Sequence, residues 1–271
     1  MAPSGNVPAA VTVILPHHDC AEYLSSAVGS VLAQDRPDLR LTVVDDCTPG
    51  EEWVSGLLPY AGDHRLTVLR TSVNVGHLRI KNKVLESVTT PYVAFQDADD
   101  MSLPGRLRHQ LALLERDGAD LVGCAYEYID GVGRTTGRRR MPRNGNLWMR
   151  LGRSTVVLHP SSVVRSTVLR ALGGFDGTAR LGADTDFHLR VARLYRLRSV
   201  RKVLYRYRIW PKSLTQAPDT GFGSAERLAY TKAMNAQEQR RRQARTRAEL
   251  MPLLVAPPND VDFALTPVDI H

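Results

Sequence analysis

Cysteine is scarce in this chain of 271 residues: Cys20, Cys47 and Cys124 are the only three. They are widely spaced, show no metal-type pairing and cannot all be joined internally, which points to reduced structural thiols rather than a disulfide framework or a zinc site. Long apolar runs are also missing. No stretch approaches the roughly 20 residues a membrane-spanning helix requires, so no transmembrane segment is expected. The N-terminal MAPSGNVPAA lacks a basic start and an apolar stretch before Val11; it reads as a loose leader rather than a signal peptide, and a cytoplasmic location is the expectation. There is no internal repeat, no zinc-finger spacing and no aromatic-basic RNA motif, so nucleic acid is not the expected partner.

Acidic residues are outnumbered, 28 against 36 Lys and Arg, a formal charge of +8. Such an excess suits nucleic acid, an anionic membrane surface or a phosphate-bearing substrate, and charge alone does not choose among them. Much of it lies in Arg138, Arg139 and Arg140 and in Arg240, Arg241 and Arg242, where a solvated surface is the plain alternative. A hydrophobic fraction of 43% beside 24% charged residues is ordinary for a soluble protein. The length allows one α/β domain, with or without a helical appendage.

Short β-branched runs alternate with amphipathic stretches through the first half, the pattern of a parallel sheet covered by helices. Strands are predicted at Val11 to Leu15, Leu41 to Val44, Leu66 to Leu69, Tyr92 to Phe95 and Leu121 to Tyr128. Helices are predicted at Tyr23 to Gln34, Glu51 to Tyr60, His77 to Val88 and Leu103 to Arg116. The segment GVGRTTGRRRMPRNGN reads as a mobile surface loop able to close over a substrate. Beyond it come short strands at Val156 to Leu158 and Ser162 to Val164, a helix at Ser166 to Leu172, another at Asp184 to Arg196, and a strand at Val200 to Ile209. A long helix from about Ala225 to Leu250 is charged around most of its circumference, so it packs by a narrow stripe or mediates association, with a homo-oligomer as one outcome. The tail after Met251 is uninformative.

In an open parallel sheet, ligands bind beyond the carboxyl ends of the strands. Four such positions carry polar side chains: the segment Pro16-His17-His18-Asp19, the pair Asp45-Asp46, Asn74-Val75-Gly76, and Asp97-Ala98-Asp99-Asp100. Three carboxylates directly after a strand repel one another, and a divalent cation would relieve that repulsion; Mg2+ or Mn2+ suits oxygen ligands of this kind. The alternative is a charged loop in which Asp99 or Asp100 caps the following helix.

The chain resembles the family 2 glycosyltransferases of GT-A fold from about Val11 to Thr215. The matching pieces occur in family order: VTVILPHHD with Tyr23 and Leu24, SVLAQ, LTVVDD, NVGHLRIKN, YVAFQDADD, HPSSVVRSTVLRALGGFD, GADTDFHLRV and YRYRIWPKSLT. The resemblance implies a GT-A (nucleotide-diphospho-sugar transferase) α/β fold, with a mostly parallel central sheet flanked by helices and a C-terminal helical extension. It divides the chain into a transferase domain, 1–215, and a C-terminal helix and tail, 216–271. Within the first, a nucleotide-binding half spans about 11–100 and an acceptor half 101–215. It further implies an inverting, metal-assisted transfer from a UDP-, dTDP- or GDP-sugar to a saccharide, natural product, peptide or lipid-carrier acceptor.

On this pattern Asp46 holds the nucleobase, Asp97 and Asp99 handle the ribose and the metal-bound diphosphate, Asp99 ligates the metal, and Asp184 is the general base. Pro16 and Lys81 complete the donor site, and His17, Asp19, Arg79, Asp100, His159 and Lys212 are further candidate contacts. Three positions depart from the pattern. Lys81 stands where arginine is usual, keeping positive charge but not a bidentate fork, and Arg79 is placed to compensate. Ala183 replaces a glutamate, which leaves Asp186 as a rival to Asp184. Trp210 stands where histidine is frequent; an indole N–H is no metal ligand, and its broad face is a candidate contact for the sugar or acceptor, with a structural tryptophan as the alternative. Three other readings remain: an impaired sugar-nucleotide-binding or scaffolding member of the fold, disfavoured by retention of Asp97, Asp99 and Asp184; a sugar nucleotidyltransferase, disfavoured because the loop after the first strand has no glycine; and a nucleic-acid binder.

Overall fold

Apolar residues on both sides of the first strands bury them between two layers of helices. The computed structural model describes residues 10–36, 38–153, 155–179 and 181–270; residues 1–9 of the expected leader lie outside them. β1 (Val11–His17), β2 (Leu39–Asp45), β3 (Leu66–Arg70) and β4 (Tyr92–Phe95) run parallel in the order β3-β2-β1-β4. Along β1, Val11, Val13 and Leu15 enter one core and Ile14 the other, the double-sided burial typical of parallel strands. α1 (Ala21–Leu32) covers the first face with Leu24, Ala27, Val28, Val31 and Leu32. α2 (His77–Ser87) covers the second with Leu78, Ile80, Val84 and Leu85. The helix predicted over residues 51–60 is instead two short 3-10 turns, Glu52–Gly56 and Leu58–Tyr60, because Gly56 and Pro59 interrupt the α-helical ladder.

The second half departs from the parallel pattern. It comprises β5 (Met101–Ser102), α3 (Arg106–Arg116), β6 (Leu121–Ile129), β7 (Thr135–Arg139), α4 (Gly145–Arg150), β8 (Val163–Arg165), α5 (Ser166–Ala171), α6 (Ala183–Leu194) and β9 (Leu197–Arg208). β8 lies antiparallel between β4 and β6, β5 is antiparallel to β9, and only β6 and β9 pair in parallel. The sheet is therefore mixed rather than mostly parallel. The segment expected to be a mobile loop is a β-hairpin followed by α4. Its turn is fixed where Asp130 Oδ1 accepts the N–H groups of Val132 and Arg134 and Gly133 takes φ +87°, an Asx-type turn that residue composition alone disguises as a loop. Residues 156–158 form no strand, although Val156 and Val157 are buried in the core.

The long C-terminal helix is broken. α7 (Ala225–Gln243) ends before α8 (Arg247–Leu254), where Thr246 accepts the Glu249 N–H and Glu249 accepts the Arg245 N–H, a reciprocal capping arrangement. α7 packs by the narrow stripe predicted, through Met234, Glu238 and Arg241. The tail is informative after all: Phe263 joins the core, and β10 (Thr266–Pro267) pairs antiparallel with β3, closing that edge of the sheet.

Candidate active site

The carboxyl ends of the four parallel strands meet α6 and the end of β9 around one cleft. After β4, the Asp97 N–H donates to Tyr205 Oη (3.3 Å), and Arg208 Nε donates to the Asp99 carbonyl (2.7 Å). The Trp210 indole donates to Asp99 Oδ2 at 2.7 Å. Burial, reinforced by the Asp97 charge, pushes the Asp99 pKa up to about 6 despite that hydrogen bond. Burial also raises Asp97, with Lys81 opposing and Asp184 adding to the shift. Asp100 lies beneath the loop rather than in the cleft: it is fully buried, Oδ1 accepts the Arg208 N–H (2.8 Å), and Oδ2 has no partner. It is a support for the loop, not the substrate contact expected.

Lys81 links the two halves of the cleft. Its side chain is 1% exposed, and its ammonium lies 3.8 Å from Asp97 Oδ1. Burial lowers its pKa, while Asp97 and Asp184 act against that. Asp184 sits half-buried in the first turn of α6, which Gly182 enters at φ +83°. Thus Lys81 stands near both Asp97 and Asp184. Ala183 is fully buried in the core, so a glutamate at this position would carry its carboxylate into apolar surroundings.

Asp186 does not share the cleft. Its oxygens accept from Arg190 Nε and Arg241 Nη1, both at 2.7 Å, and it is 6% exposed. Arg190 also ties the Leu172, Gly174 and Leu254 carbonyls together. A carboxylate held between two buried guanidiniums is a structural anchor, which removes it as a rival base. Asp186→Asn is expected to cost about 3–5 kcal/mol by leaving buried cations uncompensated; a denaturant midpoint close to the parent's would contradict this.

Other expected contacts are committed elsewhere. Arg79 is drawn away by the tail, donating to the Gly177 carbonyl and pairing with Asp260 at 2.8 Å, so it does not compensate for Lys81. His17 is buried against Trp53, with Nδ1 3.2 Å from Cys20 Sγ, and burial pushes its pKa down to about 4. His159 packs between Phe95 and Phe175, with both ring nitrogens unpartnered and its pKa driven well down by burial. Asp46 uses its carboxylate to accept from the Val75 and Gly76 N–H groups, each at 2.8 Å, shaping the floor beside β2. Pro16 is buried at the end of β1. Asp19 and Lys212 are exposed and lie 4.0 Å apart across the cleft mouth.

Sequence reasoning missed the scaffold beneath these groups. Arg208 donates to Asp99, Asp130 and Gly131 carbonyls and stacks on Tyr23 at 4.1 Å. The fully buried Arg106 bonds the Phe95 and Pro160 carbonyls, fixing the β4 end against the segment that leads into β8. Nothing in the sequence marks either as buried except an apolar neighbourhood.

Among the described residues, no group of three or more His, Cys, Asp or Glu side chains forms a metal cage. The residues present nevertheless fit a hard divalent cation. Asp99 has one oxygen held by Trp210, and its charge, disfavoured by burial and by the neighbouring Asp97, is what a cation would stabilise. Mg2+ and Mn2+ sites commonly combine one or two carboxylates with substrate phosphates and water.

A half-parallel, half-antiparallel sheet with an Asp-X-Asp loop at its carboxyl rim defines a GT-A-type α/β protein. The glycosyl transferase family 2 model matches residues 12–173, and the chain belongs to that family. It is 27% identical over 181 residues to the putative glycosyltransferase EpsE of Bacillus subtilis, covering 66% of this chain and 64% of the relative. It is 25% identical over 207 residues to an uncharacterized glycosyltransferase of Methanocaldococcus jannaschii, covering 74% and 71%. The chain thus spans less than two thirds of the first relative's length. Among solved structures, S. aureus TarS 1–349 in complex with UDP-GlcNAc aligns with a TM-score of 0.66 at 19% identity, covering 88% of this chain and 74% of that one. Mannosyltransferase PcManGT from Pyrobaculum calidifontis, in complex with GDP-Man and Mn2+, aligns at 0.60 and 18%, covering 92% and 69%. These likenesses show the fold.

Proposed function

We propose that the chain is an inverting glycosyltransferase that moves a sugar from a nucleoside-diphosphate sugar to an acceptor hydroxyl, assisted by Mn2+ or Mg2+, with Asp184 as general base. The observation that carries this reading is Lys81, buried between the Asp-X-Asp loop and Asp184. It places fixed positive charge beside a leaving diphosphate on one side of the cleft and a half-buried carboxylate on the other. The nucleotide sugars and Mn2+ bound by the structural neighbours support it.

In this mechanism Asp97 would contact the donor's ribose and Asp99 would hold the divalent cation, which would supply Lewis-acid stabilisation of the leaving diphosphate. Lys81 adds a point charge that needs no reorganisation as the sugar–phosphate bond breaks. Asp184 accepts the acceptor proton as the hydroxyl attacks. One displacement with one base inverts the anomeric centre. The expected result, read by proton NMR of the glycoside formed while nucleoside diphosphate is released, is a product anomer opposite to the donor's; retention would refute the single-displacement reading.

A further inference from the structure

The basic excess is not spread evenly. Residues 131–175 contain nine arginines and no Asp or Glu, and residues 187–218 contain nine Lys or Arg and again no acid. The fold brings parts of both stretches together. Asn146 Nδ2 donates to the Ala192 and Tyr195 carbonyls, and its Oδ1 accepts the Leu197 N–H, pinning α4 onto α6 and β9. A Cβ on Gly145 would lie 2.9 Å from Leu197 Cβ, so only glycine permits this approach.

With that side of α4 docked, its other face is apolar and open. Leu147 is 51% exposed, Trp148 37%, Leu151 67%, and Leu194 at the end of α6 38%. Arg153 stacks on Trp148 at 4.6 Å. A groove of about 330 Å³ is lined by Leu147 and Leu194 together with Arg150, Arg196 and Arg198, and by Arg193, which is paired with Glu238. Leucine and tryptophan surrounded by long cationic side chains are what an interfacial membrane anchor presents: apolar groups enter the acyl boundary, the indole suits the headgroup level, and guanidiniums pair with lipid phosphates.

We infer that this face, built from α4 and the end of α6, docks the protein onto an anionic membrane surface. Charge selects that occupant. A second copy meeting the patch about a two-fold axis would bring arginine against arginine, whereas acidic lipids complement Arg150, Arg196 and Arg198. Asp184 lies ten residues before Leu194 on α6, a rise of about 15 Å. Docking therefore holds the candidate base a short, fixed distance from the bilayer, within reach of a lipid-anchored acceptor.

The full chain should be floated with vesicles of phosphatidylcholine, with and without phosphatidylglycerol, at low and high salt. Binding is expected to be at least roughly 10-fold stronger on the anionic vesicles and to weaken with salt. Trp53 and Trp210 are buried, so a blue shift in tryptophan emission on binding reports Trp148. Leu151→Glu should reduce binding by about 10-fold or more, and Trp148→Phe should retain it, both with melting midpoints near the parent's because the sites are exposed. Equal binding to neutral vesicles, anionic binding untouched by Leu151→Glu, or a patch-dependent dimer in light scattering that excludes lipid would each overturn the inference. Donor binding, measured separately without lipid, tests the transferase reading independently.

Discussion

Asp184→Asn is expected to bind a nucleoside-diphosphate sugar as the parent does and to transfer roughly 10²–10⁴-fold more slowly, the range lost when a positioned general base is removed. The amide is nearly isosteric with the carboxylate, and the residue is half-buried in the first turn of α6 rather than fixed in a buried ion pair. The loss should therefore fall on kcat and not on folding. Asp186 offers no substitute, since Arg190 and Arg241 hold both of its oxygens. Initial rates of nucleoside-diphosphate release at saturating donor, with a matched melting curve, check this. Transfer within a few-fold of the parent would place the base outside α6.

Asp99→Asn is expected to stabilise the ligand-free protein while abolishing metal-dependent nucleotide binding. Folding raises the Asp99 pKa to about 6, because burial, and after it the charge of Asp97, disfavours ionisation. A raised carboxylate pKa means the folded state binds this proton more tightly than the unfolded state. The destabilisation is therefore full above about pH 6 and fades as pH falls toward the unfolded value near 4. Asparagine removes the charge yet can still accept the Trp210 N–H through its carbonyl. Denaturant midpoints should show the variant ahead by on the order of 1–3 kcal/mol at pH 8, with the gap shrinking toward pH 4. A variant less stable than the parent at pH 8 would mean that Asp99 is not held under electrostatic strain.

The four parallel strands and the helices between β1 and β6 were largely legible because burial on both faces leaves continuous apolar runs with clear helical spacing between them. Strand direction in the second half was not. β8 is three residues long, and nothing in its composition says that it inserts antiparallel between β4 and β6. The hairpin after β6 was hidden by glycine and arginine, although Asp130 four residues ahead of Arg134 carried its turn signal. In the candidate site, strand-end position singled out Asp97 and Asp99, and resemblance added Lys81 and Asp184. Spacing could not separate Asp184 from Asp186. They lie two residues apart on one helix, and Asp186 is tied down by Arg190 one turn further on and by the distant Arg241 on α7. Arg79 was misread for the same reason: its partner, Asp260, is 181 residues away.

On the proposed reading, the cleft at the β4 end would hold a nucleoside diphosphate together with a divalent cation. The most direct test of that reading is the thermal midpoint of the full chain with UDP, GDP, dTDP and their sugars, each with and without Mn2+. Selective binding stabilises the native state by mass action, by about 2.7 kcal/mol at a ligand concentration 100 times Kd. A rise in midpoint with one nucleotide class, present with Mn2+ and absent in Asp99→Asn, is the predicted result. No nucleotide raising the midpoint with Mn2+, or a rise that Asp99→Asn retains in full, would contradict it.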